Sequence, residues 1–354
     1  MADYTAIKNS TAHFNTVKYT GNGGSQSITG VGHQPDWVWI KKRNGAADSS
    51  LMDVSRGVRK SIVSNSSTTE YTESSGFSSF DSDGFSFDGN GFNHVNTNSD
   101  SFVAWCWKAG GTGSSNSDGA TASTVSVNTT AGFSIVTWTG TGSGTTIGHG
   151  LGVKPKIIFV KNRSTAKNWV VNVGEIVGAD ERSMYLNAND ALKSDAAADG
   201  GYTYNNQATT FQTANGSSGH QDDVNKSGDN MIAYCFAEKR GFSKFGAYSG
   251  FSNTNGPFLY TGFKPKYVCV KCTSTTDHWV VDDTTRSPFN EANHTLYSNL
   301  SNAEYTAGAY GIDIVSNGIK IRNLDGNYSS NGRAYVWWAF AEEPLVGDNP
   351  VTAR

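Results

Sequence analysis

The stretch Gly32-His33-Gln34-Pro35-Asp36-Trp37-Val38-Trp39-Ile40-Lys41 returns as Gly152-Val153-Lys154-Pro155-Lys156-Ile157-Ile158-Phe159-Val160-Lys161. It returns again as Gly262-Phe263-Lys264-Pro265-Lys266-Tyr267-Val268-Cys269-Val270-Lys271. Each is a Gly-x-x-Pro turn running into an apolar stretch that ends in lysine. Proline fixes its own φ and has no N–H for a ladder, so it belongs at the first position of a strand. The near-continuous apolar run that follows predicts a strand covered on both faces. Pro35, Pro155 and Pro265 stand roughly 110 to 120 residues apart, a domain spacing rather than the ~40 to 50 residues of a propeller blade.

Two further blocks recur in the same order. Phe102-Val103-Ala104-Trp105-Cys106-Trp107, Met231-Ile232-Ala233-Tyr234-Cys235-Phe236 and Tyr335-Val336-Trp337-Trp338-Ala339-Phe340 close each copy. Cys106, Cys235 and Ala339 share one position, which therefore asks for a small buried residue rather than a thiol. Phe14 and Tyr19 before Gly21, Phe133 and Trp138 before Gly140, and Phe242 and Tyr248 before Gly250 open each copy. Between opening and close, Phe80 to Phe87 and Ile314 to Ile321 carry Asp83-Gly84 and Asn317-Gly318 among alternating apolar residues. That pattern predicts a two-residue hairpin turn with positive φ at both central residues. In the middle copy Phe211 marks the remnant of this hairpin.

The fold class that follows is all-β, with three tandem antiparallel β-sandwich modules of jelly-roll type. Pro35, Trp37, Trp105, Pro155, Tyr234, Pro265 and Trp338 are the anchors of the repeat. The expected divisions are an N-terminal arm at 1–13, modules at 14–109, 132–240 and 241–345, a Gly/Ser-rich linker at 110–131 and a tail at 346–354. Gly110 to Ser117 reads as flexible, so the first module is expected to swing. Lys239-Arg240-Gly241 is short enough that the second and third should pack together.

Composition supports sheet over helix. Of 354 residues 40 are Gly, 12% are aromatic and only 17% are charged, and Gly, Asn and Ser supply turns while aromatic and β-branched side chains fill pleated surfaces. The best helix candidate, Asp190 to Asp199, has Leu192 as its one large apolar residue. A net charge of -3 leaves no basic footprint, so nucleic acid is not an expected partner. No stretch approaches the ~20 apolar residues that cross a bilayer, and Met1-Ala2-Asp3-Tyr4 does not begin an export signal. Cys106, Cys235, Cys269 and Cys272 fit no disulfide framework and are expected as thiols.

Candidate sites are sparse. Asp53 with Arg56, and Asp282, Asp283 with Arg286, occupy matching places after the second strand of copies one and three, and read as surface or turn-stabilising ion pairs. Asn172 and Glu175 stand there in the middle copy. Cys269 and Cys272 form a C-x-x-C, but residues three apart on a strand point to opposite faces and His278 is one further ligand where a zinc site wants two. Asp81, Asp83, Gly84 and Asp88 resemble part of a calcium loop, yet Phe85 and Phe92 sit where ligands are required, and a hairpin turn explains them. His33 and His149 precede two of the three Pro strands. No nucleophile with a base and no recurring acid pair is legible, so no catalytic residue, metal or cofactor is expected. Aromatic side chains can stack on sugars, and Tyr71, Tyr202, Tyr204, Tyr297, Tyr305 and Tyr310 are the loop aromatics expected to be exposed for such contacts.

The third copy ends Trp338-Ala339-Phe340-Ala341-Glu342-Glu343-Pro344, and Ala237-Glu238 follows the matching strand of the second. Together with the Gly-x-x-Pro strands, this resembles repeated domains in virion structural proteins of tailed phages of marine bacteria and cyanobacteria, over Phe14 to about Val346. The first copy departs by ending Lys108-Ala109-Gly110. The resemblance implies a non-enzymatic tail fibre, spike or other exposed particle component, located in the virion and assembled in the host cytoplasm. Its implied partners are other virion proteins and host-surface carbohydrate, and, by analogy with fibres and spikes, further copies of itself in a trimer. A glycan-degrading tail enzyme on the same scaffold, a capsid decoration protein, and a cellular adhesin or lectin are the alternative readings.

Overall fold

The computed structural model describes residues 5–91, 95–179, 182–193, 202–213, 220–306, 311–322, 324–348 and 350. Almost all regular structure is antiparallel strand, arranged as three large and three small sheets. The only α-helical segments among the described residues are Gly174–Val177 and His220–Asn225. Asp190 to Leu192 is not helical, and Lys193 instead bridges to Ser183. The rest of that predicted helix lies outside the described residues.

One strand order runs through all three large sheets. The opening strand (Phe14–Thr20, Phe133–Thr139, Ser243–Ser249) pairs with the closing strand (Ser101–Trp107, Asn230–Phe236, Ala334–Pro344). The closing strand pairs with the Pro strand (Trp37–Lys42, Ile157–Asn162, Phe263–Cys272), and the Pro strand with a flanking strand (Ser50–Asp53, Val170–Asn172, Val280–Asp283). Each small sheet joins a short edge strand (Ser25–Thr29, Thr146–Gly148, Phe258–Tyr260) to a hairpin. The Gly before each proline, Gly32, Gly152 and Gly262, has φ of +83°, +69° and +80°, a turn conformation glycine adopts without penalty. Pro35 and Pro155 lie two residues before their strands. Pro265 sits inside the longer third strand at a register shift, where a missing ladder donor is tolerated.

The hairpins are offset by one residue from expectation. Asp81 pairs with Gly84 and Val315 with Gly318, so the loop residues are Ser82-Asp83 and Ser316-Asn317. Glycine opens the return strand because the edge strand comes too close for a side chain. A Cβ on Gly84 would lie 1.9 Å from the Ile28 carbonyl oxygen, and one on Gly318 would lie 2.4 Å from that of Leu259. Phe211 of the middle copy pairs with Ile147 and is fully buried, in the place of Phe85 and Ile319.

Alternate residues of the central strands face two different cores. In the first copy Val38, Ile40, Ala104 and Cys106 face Phe77, Phe85 and Phe87 of the small sheet, giving a sandwich-like pair of layers. Trp37, Trp39, Trp105 and Trp107 face the other way, into a cluster shared by all three copies. Trp37 stacks on Tyr234 at 4.4 Å, Phe14 lies 5.3 Å from Phe340, Trp105 5.7 Å from Tyr267, and Phe159 5.9 Å from Trp338. The apolar runs are thus covered on both faces, as the sequence predicts. The second cover is the neighbouring copies, so the cores are joined rather than separate.

That closure overturns the swinging first module. Residues 110–131 are not a free linker either: Ser114–Asn116 and Ser123–Asn128 add two strands to the second large sheet. Val125 is buried there, and the Asp36 carboxylate accepts the Ala109 and Gly111 amides. Alternating Val125 and Val127 supply a strand signal that the surrounding Gly and Ser obscure.

Candidate functional site

The lysine at the next-to-last position of each Pro strand is a consistent polar feature of the three copies. Lys41, Lys161 and Lys271 are 1%, 0% and 0% exposed. Their ammonium groups donate to backbone carbonyls: Lys41 to Ala47, Lys161 to Asn162, Lys167 and Ser67, and Lys271 to Cys272, Asn189 and Asp190. Burial lowers the three from the ordinary lysine value to about 8, 7 and 8. Ser67 belongs to the first copy and Asn189 to the second, so Lys161 and Lys271 each reach across to the preceding copy. In the remaining seam the loop held by Lys41 does this through its backbone, Ala47 N–H donating to the Ser301 carbonyl of the third copy. Each copy contacts the next through the same surfaces, a head-to-tail contact that closes after three steps.

Beside each lysine lies a second set of equivalent positions. Between copies one and two, Arg163 makes a two-pronged pair with Glu70 at 2.8 and 3.1 Å. Arg56 pairs with Asp53 at 2.5 Å, and the Tyr234 hydroxyl donates to Asp53 at 2.7 Å. Between copies three and one, Arg43 grips Glu304 at 2.9 and 2.7 Å, Arg286 pairs with Asp283 at 2.5 Å, and Trp105 Nε1 donates to Asp283 at 3.0 Å. Arg43, Arg286 and His294 surround Glu304 and hold its carboxyl down to about 2 against the opposing effect of burial. The side chains of Asp53, Arg56, Asp283 and Arg286 have no exposure. The pairs read from sequence as surface or turn-stabilising are thus buried in the seams, where each aspartate also accepts the backbone amide of its arginine three residues on.

Between copies two and three the same four positions are Val173, Ile176, Leu192 and Thr273. Ile176 and Leu192 pack against the shared core, and only the backbone bond is kept, Leu192 N–H to the Thr273 carbonyl, matching Glu70 to Arg163 and Glu304 to Arg43. All four positions have exchanged polar for less polar residues as a set. A buried charge left without its partner is costly, whereas a whole ion cluster replaced by packed apolar groups is close to neutral.

The tyrosines singled out from sequence do not form one surface. Tyr305 is 36% exposed and bridges to Thr295. Tyr297 is half-buried, two residues from Thr295, with the His278 ring at 5.3 Å. Tyr71 is half-buried in a strand pair with Ser61. Tyr202 is fully buried, the reverse of expectation. Its hydroxyl bonds that of Tyr185, its ring lies 4.2 Å from the His220 ring, and that histidine opens the helical turn His220–Asn225. Asp223 in that turn is pushed up to about 6 by burial. The side chain of Tyr204, and Tyr310 as a whole, lie outside the described residues.

Among the described residues the exposed aromatic side chains are elsewhere, and all belong to the third copy: Phe251 (54%), Phe258 (47%), Tyr260 (58%) and Phe289 (80%), besides Tyr305. Phe258 and Tyr260 flank buried Leu259 on an edge strand and point outward together. An alignment of the three edge strands would have found them, because Ser27 and Thr29 stand there in the first copy and Thr146 and Gly148 in the second. Those strands carry few apolar residues and did not stand out in a search for apolar blocks.

The four cysteines are buried thiols, and burial raises Cys106, Cys235 and Cys269 above the ordinary range. Among the described residues no three His, Cys, Asp or Glu side chains come together to hold a metal. Asp83 has a structural task, accepting the Gly30 and Gly32 amides at 3.0 and 2.6 Å. No described helix is long and apolar enough to cross a membrane.

These features define an all-β protein of paired, sandwich-like antiparallel sheets closed around a shared aromatic core. Residues 9–344 match the family described as Domain of unknown function (DUF7483), and the chain belongs to that family. The match runs through all three sheet pairs. No curated protein and no solved structure matches the chain.

Proposed function

We propose that this chain is a structural component of a tailed-phage particle, a fibre, spike or decoration element, built from three diverged jelly-roll-like modules. Its work in this reading is to make assembly contacts and to touch the host surface. The observation that carries the proposal is the use of the repeated charged residues: Lys161, Lys271 and both Asp-Arg pairs hold one copy to the next, and Lys41 holds the loop whose backbone does so in the third seam. A body closed in this way is rigid, and three quasi-equivalent faces around one axis suit a three-fold partner. The sequence resemblance to virion domains points the same way, and a surface rich in Ser, Thr and Asn offers many neutral hydrogen bonds. Mass spectrometry of purified particles of the virus that encodes it tests the reading, and finding the chain in lysate but not in particles would refute it. Light scattering on the purified chain tests the assembly: a trimer supports self-association, and a monomer assigns the three-fold character to the single chain.

A further inference from the structure

The edge strands of the three small sheets give a comparison within one molecule. Their inward residues, Ile28, Ile147 and Leu259, are all buried and serve the fold alike. Their outward positions are Ser27 and Thr29, Thr146 and Gly148, and Phe258 and Tyr260, aligned by pairing with Ser86 and Gly84, Gln212 and Thr210, and Lys320 and Gly318. The first copy builds this strand with exposed Ser27 and Thr29, so folding does not require the aromatic pair, whereas Gly148 of the second is covered by Asn116. Exposed apolar rings also have a standing tendency to associate. Their presence at 47% and 58% exposure therefore asks for a ligand.

The surroundings say which kind. A Cβ on Gly318 would meet the Phe258 ring at 2.6 Å and one on Gly262 would meet the Tyr260 hydroxyl at 3.5 Å, so both rings lie along the outer surface of the sheet. Tyr260 forms one wall of a hollow of about 370 Å³ that also includes Glu238, Arg240, Lys244, Thr261 and Leu345. This is the lower end of the size range of small-molecule sites. Lys244 and Glu238 are paired at 2.6 Å and remain part-exposed, which sets a donor and an acceptor side by side. Among the described residues the Arg240 guanidinium has no partner.

We infer that Tyr260 and this hollow bind a sugar ring carrying a carboxylate, a uronic or sialic acid unit of a polysaccharide. The C–H face of the ring lies on Tyr260, its hydroxyls meet Glu238 and Lys244, and its carboxylate is gripped by Arg240, whose planar fork matches that group. Phe258, two residues away on the same face and roughly 7 Å along the strand, extends the platform toward the next sugar. The site names the class of glycan that the host-contact reading leaves open, and it rests on that reading.

The test uses the full chain and a panel of uronic and sialic acid oligosaccharides, each beside its carboxyl-esterified neutral counterpart, followed by saturation-transfer NMR and calorimetry. Tyr260→Thr and Phe258→Ser install the residues of the first copy, so the fold has a precedent, and thermal melting confirms it. Binding of at least one acidic member is expected, with a loss of about tenfold in Tyr260→Thr, corresponding to about 1.4 kcal/mol. Arg240→Gln should bring the acidic sugar to the level of its ester. Val153→Ser, at an exposed apolar residue of the second copy, should change nothing. No binding across the panel, equal binding of acid and ester, or a folded Tyr260→Thr that binds like the parent would each overturn the inference. Those results leave the virion proposal to particle mass spectrometry, whereas sugar binding by a chain absent from particles would keep the site and refute the virion role.

Discussion

Replacing Glu304 by leucine is expected to cost about 3 kcal/mol, and replacing its whole cluster is expected to cost much less. Glu304 is 5% exposed and bonded to Arg43, Arg286 and His294. Its carboxyl drops from the ordinary glutamate value of 4.5 to about 2, and at about 1.4 kcal/mol for each tenfold change in proton affinity that is about 3 kcal/mol of preference for the charged form. Breaking one member out of a buried ion cluster independently gives about 3 to 5 kcal/mol. With an unfolding entropy of roughly 2.1 cal/mol/K per residue, a single cooperative unit of 354 residues should melt about 4 °C lower. The second variant copies the apolar seam: Asp283→Val, Arg286→Ile, Glu304→Leu and Arg43→Thr reproduce Val173, Ile176, Leu192 and Thr273. It leaves no orphaned cation, so at least half of the loss should return. Scanning calorimetry of the parent, the single and the quadruple variant at neutral pH reads both effects. A single variant within about 1 kcal/mol of the parent, or a quadruple variant that melts below the single, would refute the argument that the seams are exchanged as sets.

Further outcomes follow from the same geometry. The Glu304 carboxyl is lower in the folded than in the unfolded chain, so its contribution is complete above about pH 4.5 and disappears as pH falls toward about 2. The parent should lose more stability over that window than the quadruple variant, as acid titration followed by near-UV circular dichroism will show. Asp282 is displaced in the opposite sense, raised by burial to about 6. It favours the fold below about pH 3.8 and weighs against it above about pH 6, so Asp282→Asn, copying Asn172, should raise the neutral-pH melting temperature and leave it unchanged at pH 3.5. Lys161→Met strands the carbonyls of Ser67, Asn162 and Lys167. It should destabilise by about 1 to 3 kcal/mol, measured by urea titration at pH 6, where the native ammonium is protonated. The four thiols should be silent to a disulfide reagent in the native chain and all react in denaturant, and a fast-reacting native thiol would contradict the burial of the closing and Pro strands.

Much of the architecture was legible in the residues. The Gly-x-x-Pro turn has one backbone solution, and an apolar run covered on both faces is written as uninterrupted Val, Ile and Trp. Both are local properties, so Trp37 to Lys41 and its two relatives read as central strands. The hairpins were legible to within one residue, and the offset arises because the Ile28 and Leu259 carbonyls, far away in sequence, put glycine where it is. The strands at Ser114–Asn116 and Ser123–Asn128 were hidden by their small residues. They are strands because a sheet edge was there to extend.

By itself the sequence determined that the chain is all-β and that three segments carry the same apolar blocks in the same order along the chain. Only the tertiary structure decided what covers the second face of each sheet, since alternation along a strand says that both faces are apolar but not what lies against them. It also decided the meaning of the charges. Asp53 and Arg56 are three residues apart whether they stand in water or in a sealed seam, and burial, which sets their worth, depends on Tyr234 and Arg163 more than a hundred positions away.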